Sequence, residues 1–143
     1  MLYTPLTKKA LQVCYAAHRD QVDKSGTPYV FHPFHLAEQM TTEETIVTAL
    51  LHDVVEDTAC TLQDLQDMGF PQPVLEALAL LTHGYGVPYP DYVAAIKANP
   101  IARAVKLADL AHNSDLTRLN YVSQKDLSRV EKYRAAMKLL TEA

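Results

Sequence analysis

Cysteine and glycine are both scarce in this chain of 143 residues, with two of the first and four of the second. Cys14 and Cys60 stand in helical, apolar surroundings without CxxC spacing, and no secretory start points to an oxidising compartment. Both are therefore expected as reduced packing residues. The few glycines fall at breaks: Gly26 in the turn-rich stretch Asp23–Tyr29, Gly69 after a short helical pattern, Gly84 and Gly86 between His83 and Pro90. No block of Lys or Arg occurs and the formal net charge is −4, which argues against a nucleic-acid binder, since neutralising phosphates needs a basic face. No apolar run approaches the roughly 20 residues of a membrane span. Alternating strand patterns and internal repeats are absent as well. The expectation is a single all-α domain over residues 1–143, cytoplasmic, with room for one core and none for a second.

Helix starts are plentiful. Thr4-Pro5 and Asn99-Pro100 each read as a cap followed by proline at the first helical position, and Thr42, Thr61 and Ser123 open further capping signatures. The spacing predicts helices from Pro5 to about Arg19, from His32-Pro33, from Thr61 to Met68, from Pro71, from Asp91 to Ala98, from Asn99 to about Leu119 and from Ser123 to near Leu140. With the central run described next, the total is seven or eight helices on short connections.

That run, Ile46 to Asp57, is apolar on nearly every side for three turns, as a central buried helix is, and then ends in His52, Asp53, Glu56 and Asp57. An unpaired carboxylate there costs several kcal/mol, roughly, and so calls for a proton, a cation or a metal. Glu56 follows His52 by four residues and Asp57 follows Asp53 by four, which suggests a metal pair followed by an acid/base pair.

A second acid is out of place. Asp109 lies amid Ala104-Val105-Lys106-Leu107-Ala108 and Leu110-Ala111, with Lys106 as its only local cation. Two helices that each bury an aspartate can satisfy one another by sharing a divalent ion. With His32 at a helix mouth the set is two imidazoles and two carboxylates, a donor mixture suited to Mn²⁺, Fe²⁺ or Zn²⁺.

His32, His52-Asp53 and Asp109 resemble the metal ligands of the HD-domain phosphohydrolases. More specifically, Lys24-Ser25-Gly26-Thr27-Pro28-Tyr29 with His32-Pro33, then His52-Asp53-Val54-Val55-Glu56-Asp57-Thr58, then Val105 to Asp109 with His112-Asn113, resemble the hydrolase domain of RelA/SpoT-type alarmone enzymes. The resemblance implies a compact HD-domain helical bundle that hydrolyses the 3′-pyrophosphate of guanosine tetra- or pentaphosphate. It implies Mn²⁺ held by His32, His52, Asp53 and Asp109, with Glu56 and Asp57 positioning or deprotonating the attacking water. Lys24, Ser25, Tyr29 and Asn113 match positions that border the nucleotide. The implied partner is thus a nucleotide, with neither nucleic acid nor membrane, and self-association remains open.

Two positions depart from the family pattern: Asp23 stands where a basic residue stacks on guanine, and Leu110 where Arg or Lys follows the aspartate. An acid cannot stack as a planar cation does, so a nucleotidase acting on monophosphates is one alternative reading and a silent nucleotide-binding module another. His112 reads as packing or as support for a ligand, while His18, His35 and His83 read as ordinary partly buried histidines. Tyr85, Tyr89 and Tyr92 either lid the site or pack their loop. Tyr121 and Tyr133 read as core edge.

Overall fold

A computed structural model describes residues 1–142. Among these, every regular element is helical: α1 Pro5–His18, α2 Phe31–Glu38, α3 Glu43–Leu51, α4 Val54–Asp57, α5 Leu62–Asp67, α6 Gln72–Leu81, α7 Tyr89–Lys97, α8 Pro100–Asn113 and α9 Gln124–Thr141, with a 3₁₀ turn at Leu116–Arg118. The start signals are used as written. Thr4, Thr42, Thr61 and Ser123 each close a capping box with the residue three positions on, and Asn99 accepts from the backbone N–H of Ala102. Gly69 takes φ of +93°, the left-handed conformation that stops α5 without a Cβ clash.

α3 is the hub. Ile46, Val47, Thr48, Ala49, Leu50 and Leu51 are all buried, and α1, α2, α6 and α8 pack around them while α9 closes over α7 and α8. One apolar cluster runs from Ala10 and Cys14 on α1 through α3 and α6 to Leu140 on α9. At ~25 cal/mol per Å² of apolar surface removed from water, burial of this helix on all sides stabilises the fold substantially. No helix among the described residues is long and apolar enough to cross a membrane.

Two expected boundaries are corrected. The run Ile46–Asp57 is not one helix: α3 ends at Leu51, Asp53 has φ −106° and ψ 0°, and α4 starts at Val54. The His52 ring donates from Nδ1 to the Ala49 carbonyl at 2.7 Å, occupying an acceptor that the next turn would have used. Taken as one broken element, α3 and α4 bring the total to eight, within the seven or eight expected. α8 likewise ends at Asn113 rather than near Leu119, because Asp115 caps the 3₁₀ turn by accepting from Thr117 N–H at 3.0 Å. Tyr121, expected at the core edge, is 81% exposed.

Candidate metal centre and active site

Three elements converge on one point. His32 comes from the first turn of α2, His52 from the C-terminus of α3 and Asp109 from the last turns of α8, and one donor atom from each lies within 4.8 Å of the others. All three residues are buried. The His32 Nε2 is 2.9 Å from Asp109 Oδ1, and His52 Nε2 is 3.5 Å from the same oxygen. Because His52 Nδ1 is committed to the Ala49 carbonyl, its Nε2 is the nitrogen that faces the trio and the one that could serve an ion. That nitrogen is buried and has no hydrogen-bond partner, although Asp53 Oδ2 is only 2.9 Å away, since the contact is short but ill-directed. An orphaned imidazole nitrogen beside two carboxylates fits a divalent cation.

Asp53 stands at the edge of the trio rather than in it. Its Oδ2 accepts a short hydrogen bond from the Tyr29 hydroxyl, which comes from the loop before α2. Tyr29, expected to border the nucleotide, thus also orients a proposed ligand. Asp109 is better partnered than its sequence context suggested. Besides His32 it receives Asn113 Nδ2 at 3.0 Å on Oδ1 and Lys106 Nζ at 3.1 Å on Oδ2. Burial alone would raise its proton affinity, but the hydrogen bond from His32 and the close approach of the His52 ring and Lys106 hold its carboxyl well below the usual range. For His52, burial works against the charged ring and the two aspartates outweigh it, so its proton is held well above the ordinary value.

Glu56 and Asp57 project from α4 into the same cleft, which has a volume of about 240 Å³ and is also bordered by Tyr29, Lys106 and Asn113. Glu56 Oε1 accepts from the backbone N–H of His83 at 2.8 Å, so the 83–88 loop is tied to the acidic turn. The Asp57 carboxyl is pushed up to about 6, first by partial burial and then by the charges of Asp53 and Glu56.

Of the larger clefts that flank this centre, two carry lysine side chains. One, of about 380 Å³, is lined by Lys24, Ser25, Tyr29, Asn113, Arg118 and Tyr133 among others. There Ser25 Oγ donates to the Arg118 carbonyl at 2.6 Å, Lys24 pairs with Asp126 at 3.4 Å, and Asp23 Oδ1 accepts from the N–H groups of Ser25 and Thr27. Asp23 is therefore spent on building its own loop. The other cleft, of about 390 Å³, adds Lys132, His83, Tyr89 and Tyr92 to Glu56 and Lys106. Lys132 lies 3.9 Å above the Tyr89 ring.

Sequence reasoning undervalued several of these residues. His83 is exposed and walls the second cleft, where Tyr133, read as core edge, also stands. Tyr92 is buried with its hydroxyl on the Leu81 carbonyl at 2.6 Å and Tyr89 is partly buried, so both pack, while Tyr85 is fully exposed and covers nothing. His18 is wholly buried, against the partial burial expected, and His35 is exposed with its ring stacked on His112. Lys132 carried no signal beyond a place on the largely polar α9.

No protein-family model matches the chain. Among curated proteins, the bifunctional (p)ppGpp synthase/hydrolase SpoT of Escherichia coli (strain K12) is 43% identical over 65 residues, which is 43% of this chain and 9% of that protein. A probable GTP pyrophosphokinase of Mycobacterium leprae is 32% identical over 121 residues, 76% of this chain and 15% of that protein. The chain thus spans only 9% to 15% of these two relatives' length. Its fold matches the solved structure of a metazoan orthologue of SpoT that hydrolyses ppGpp, with a TM-score of 0.81 at 23% identity over 99% of this chain and 88% of that one. Three sequence blocks and an all-α architecture place this chain among the relatives of the RelA/SpoT-type alarmone proteins.

Proposed function

We propose that this chain, as a single domain, is a divalent-metal-dependent phosphohydrolase that removes the 3′-pyrophosphate of guanosine tetra- or pentaphosphate. In this reading His32, His52, Asp53 and Asp109 hold the ion, Mn²⁺ by preference, and the protein works in the cytoplasm, as a homo-oligomer or alone. The observation that carries it is the buried, unpartnered Nε2 of His52 facing two carboxylates from different helices. An ion would give that nitrogen a directed partner, which the ill-directed contact with Asp53 does not.

A bound divalent ion supplies water of lowered pKa and neutralises phosphoryl oxygens. The chain's own residues do the rest. Glu56, held in place by the His83 N–H, accepts a proton from the attacking water; Asp57, whose carboxyl keeps its proton up to about pH 6, delivers one to the leaving 3′ oxygen. A bond forms from water oxygen to phosphorus, the bond from phosphorus to the 3′ oxygen breaks, and GDP and pyrophosphate leave from the tetraphosphate. Lys106 and Lys132 offset phosphate charge from one side, and Lys24, Ser25, Tyr29 and Asn113 border the nucleoside on the other. The names of the sequence relatives and the shared fold of the ppGpp-hydrolysing orthologue support this substrate.

A second reading, a nucleotidase that releases orthophosphate from monophosphates, is favoured by one observation: Asp23 caps its own loop and offers no planar cation to stack on guanine. Purified protein with Mn²⁺ is offered guanosine tetraphosphate and nucleoside monophosphates, and products are resolved by chromatography. Pyrophosphate release from the tetraphosphate alone supports the first reading, orthophosphate from monophosphates supports the second, and binding without turnover contradicts both.

A further inference from the structure

His112 lies three residues beyond Asp109, on the C-terminal turn of α8, and neither of its ring nitrogens enters the trio. Its Nδ1 is instead 2.7 Å from Nδ1 of His32, with the two ring planes only 5° apart. The exposed His35, one turn along α2, stacks on His112 at 4.0 Å between centroids. Arg118 donates to the His112 carbonyl at 3.0 Å. His112 is therefore fixed by its neighbours and aimed at the nitrogen of His32 that faces away from Asp109 and His52.

Resting on the reading of His32 as a metal ligand, we infer that His112 is a positioning residue that holds the His32 ring by one hydrogen bond in both of its tautomers, empty and loaded. Without an ion, His32 Nε2 carries a proton toward Asp109 Oδ1, a carboxylate oxygen that can only accept. His32 Nδ1 is then the acceptor and His112 Nδ1 the donor. A His32 that gives its Nε2 lone pair to an ion must carry its proton on Nδ1, so the same 2.7 Å bond reverses. The proton on His112 Nδ1 crosses to His32 Nδ1, the one lost from His32 Nε2 passes to solvent, and His112 takes one from solvent on Nε2. Two N–H bonds exist before and two after, so the pair binds an ion with no net release of protons. A backbone carbonyl or a carboxylate, the usual partner of a metal-bound histidine, can accept in the loaded state but cannot donate in the empty one. An imidazole serves both states.

The test uses the full chain. Mn²⁺ affinity is measured calorimetrically for wild type, His112→Phe and His112→Asn, and the tautomer of His32 is read by ¹⁵N imidazole NMR on wild type, empty and loaded with diamagnetic Zn²⁺. His112→Phe, which lacks an acceptor, should weaken Mn²⁺ binding about 10- to 100-fold, while His112→Asn, whose side-chain oxygen can take the place of Nδ1, should stay within a few-fold of wild type. The NMR should show the His32 proton on Nε2 in the empty protein and on Nδ1 in the loaded one. A folded His112→Phe with wild-type affinity overturns the inference, as does a Zn²⁺-loaded His32 protonated on Nε2. Wild type that takes up no divalent ion overturns the metal reading itself, and this inference with it.

Discussion

Asp53 and Asp109, fifty-six positions apart in sequence, both present a carboxylate oxygen to one nitrogen, the buried Nε2 of His52, at 2.9 and 3.5 Å. Neither forms a directed hydrogen bond with it. Two acids therefore crowd one imidazole nitrogen and hold the His52 proton well above its ordinary value, an arrangement that a divalent ion taking that nitrogen's lone pair would relieve.

Asp109→Asn should destabilise the metal-free protein and abolish metal-induced stabilisation. Lys106, only 13% exposed, loses its carboxylate partner, and leaving one member of such a buried pair alone costs about 3 kcal/mol. In wild type, Mn²⁺ at about 100 times its dissociation constant should add ~2.7 kcal/mol, since it binds the folded state only. Thermal melts of both proteins with and without Mn²⁺ check this; a variant that melts like wild type and still rises with Mn²⁺ contradicts it.

Asp57 gives the metal-free protein a pH signature. Its folded value of about 6 lies above the ordinary 3.8, so the folded state holds this proton more tightly than the unfolded chain does. The stability it contributes is complete below pH 3.8 and is lost as pH rises through 6. Urea midpoints measured from pH 4 to pH 7 should fall for wild type relative to Asp57→Asn as pH increases. A difference that stays constant across the range counts against the shifted carboxyl.

The cysteines should separate by reactivity. Burial, with a smaller effect from Asp53, pushes the Cys14 thiol up to about 12, whereas Cys60 is only partly buried. A thiol-specific chromogenic reagent at pH 8 should modify one thiol per folded chain, and mass spectrometry should find it at Cys60. Rapid modification of Cys14 in the native protein contradicts the burial.

Leu50→Ala tests the hub helix. The side chain is wholly buried on α3, and the resulting cavity should cost about 3 kcal/mol in denaturant unfolding. A loss below about 1 kcal/mol shows a core able to collapse around the gap.

Most of the fold was legible because its helix starts are chemical: Thr4, Thr42, Thr61, Asn99 and Ser123 all cap where they stand. The break at His52-Asp53 was not, since no glycine or proline marks it and its origin is a side-chain bond to the Ala49 carbonyl. The end of α8 at Asn113 was missed because Leu116 and Leu119 continue the apolar spacing past it, while Asp115 turns the chain by capping the 3₁₀ turn. Within the site, buried acids and histidines announce themselves by being out of place in apolar runs. Which of them meet does not. The pairings of Tyr29 with Asp53 and of His32 with His112 span 24 and 80 residues and depend on how α2 lies against α3 and across α8.

The measurement that bears most directly on the site is pulsed electron paramagnetic resonance of the Mn²⁺-loaded chain carrying ¹⁵N-labelled histidine. One ion per chain with couplings to two imidazole nitrogens, reduced to one in His32→Ala and in His52→Ala, is the result expected. An ion that shows no nitrogen coupling, or a chain that binds none, contradicts the account.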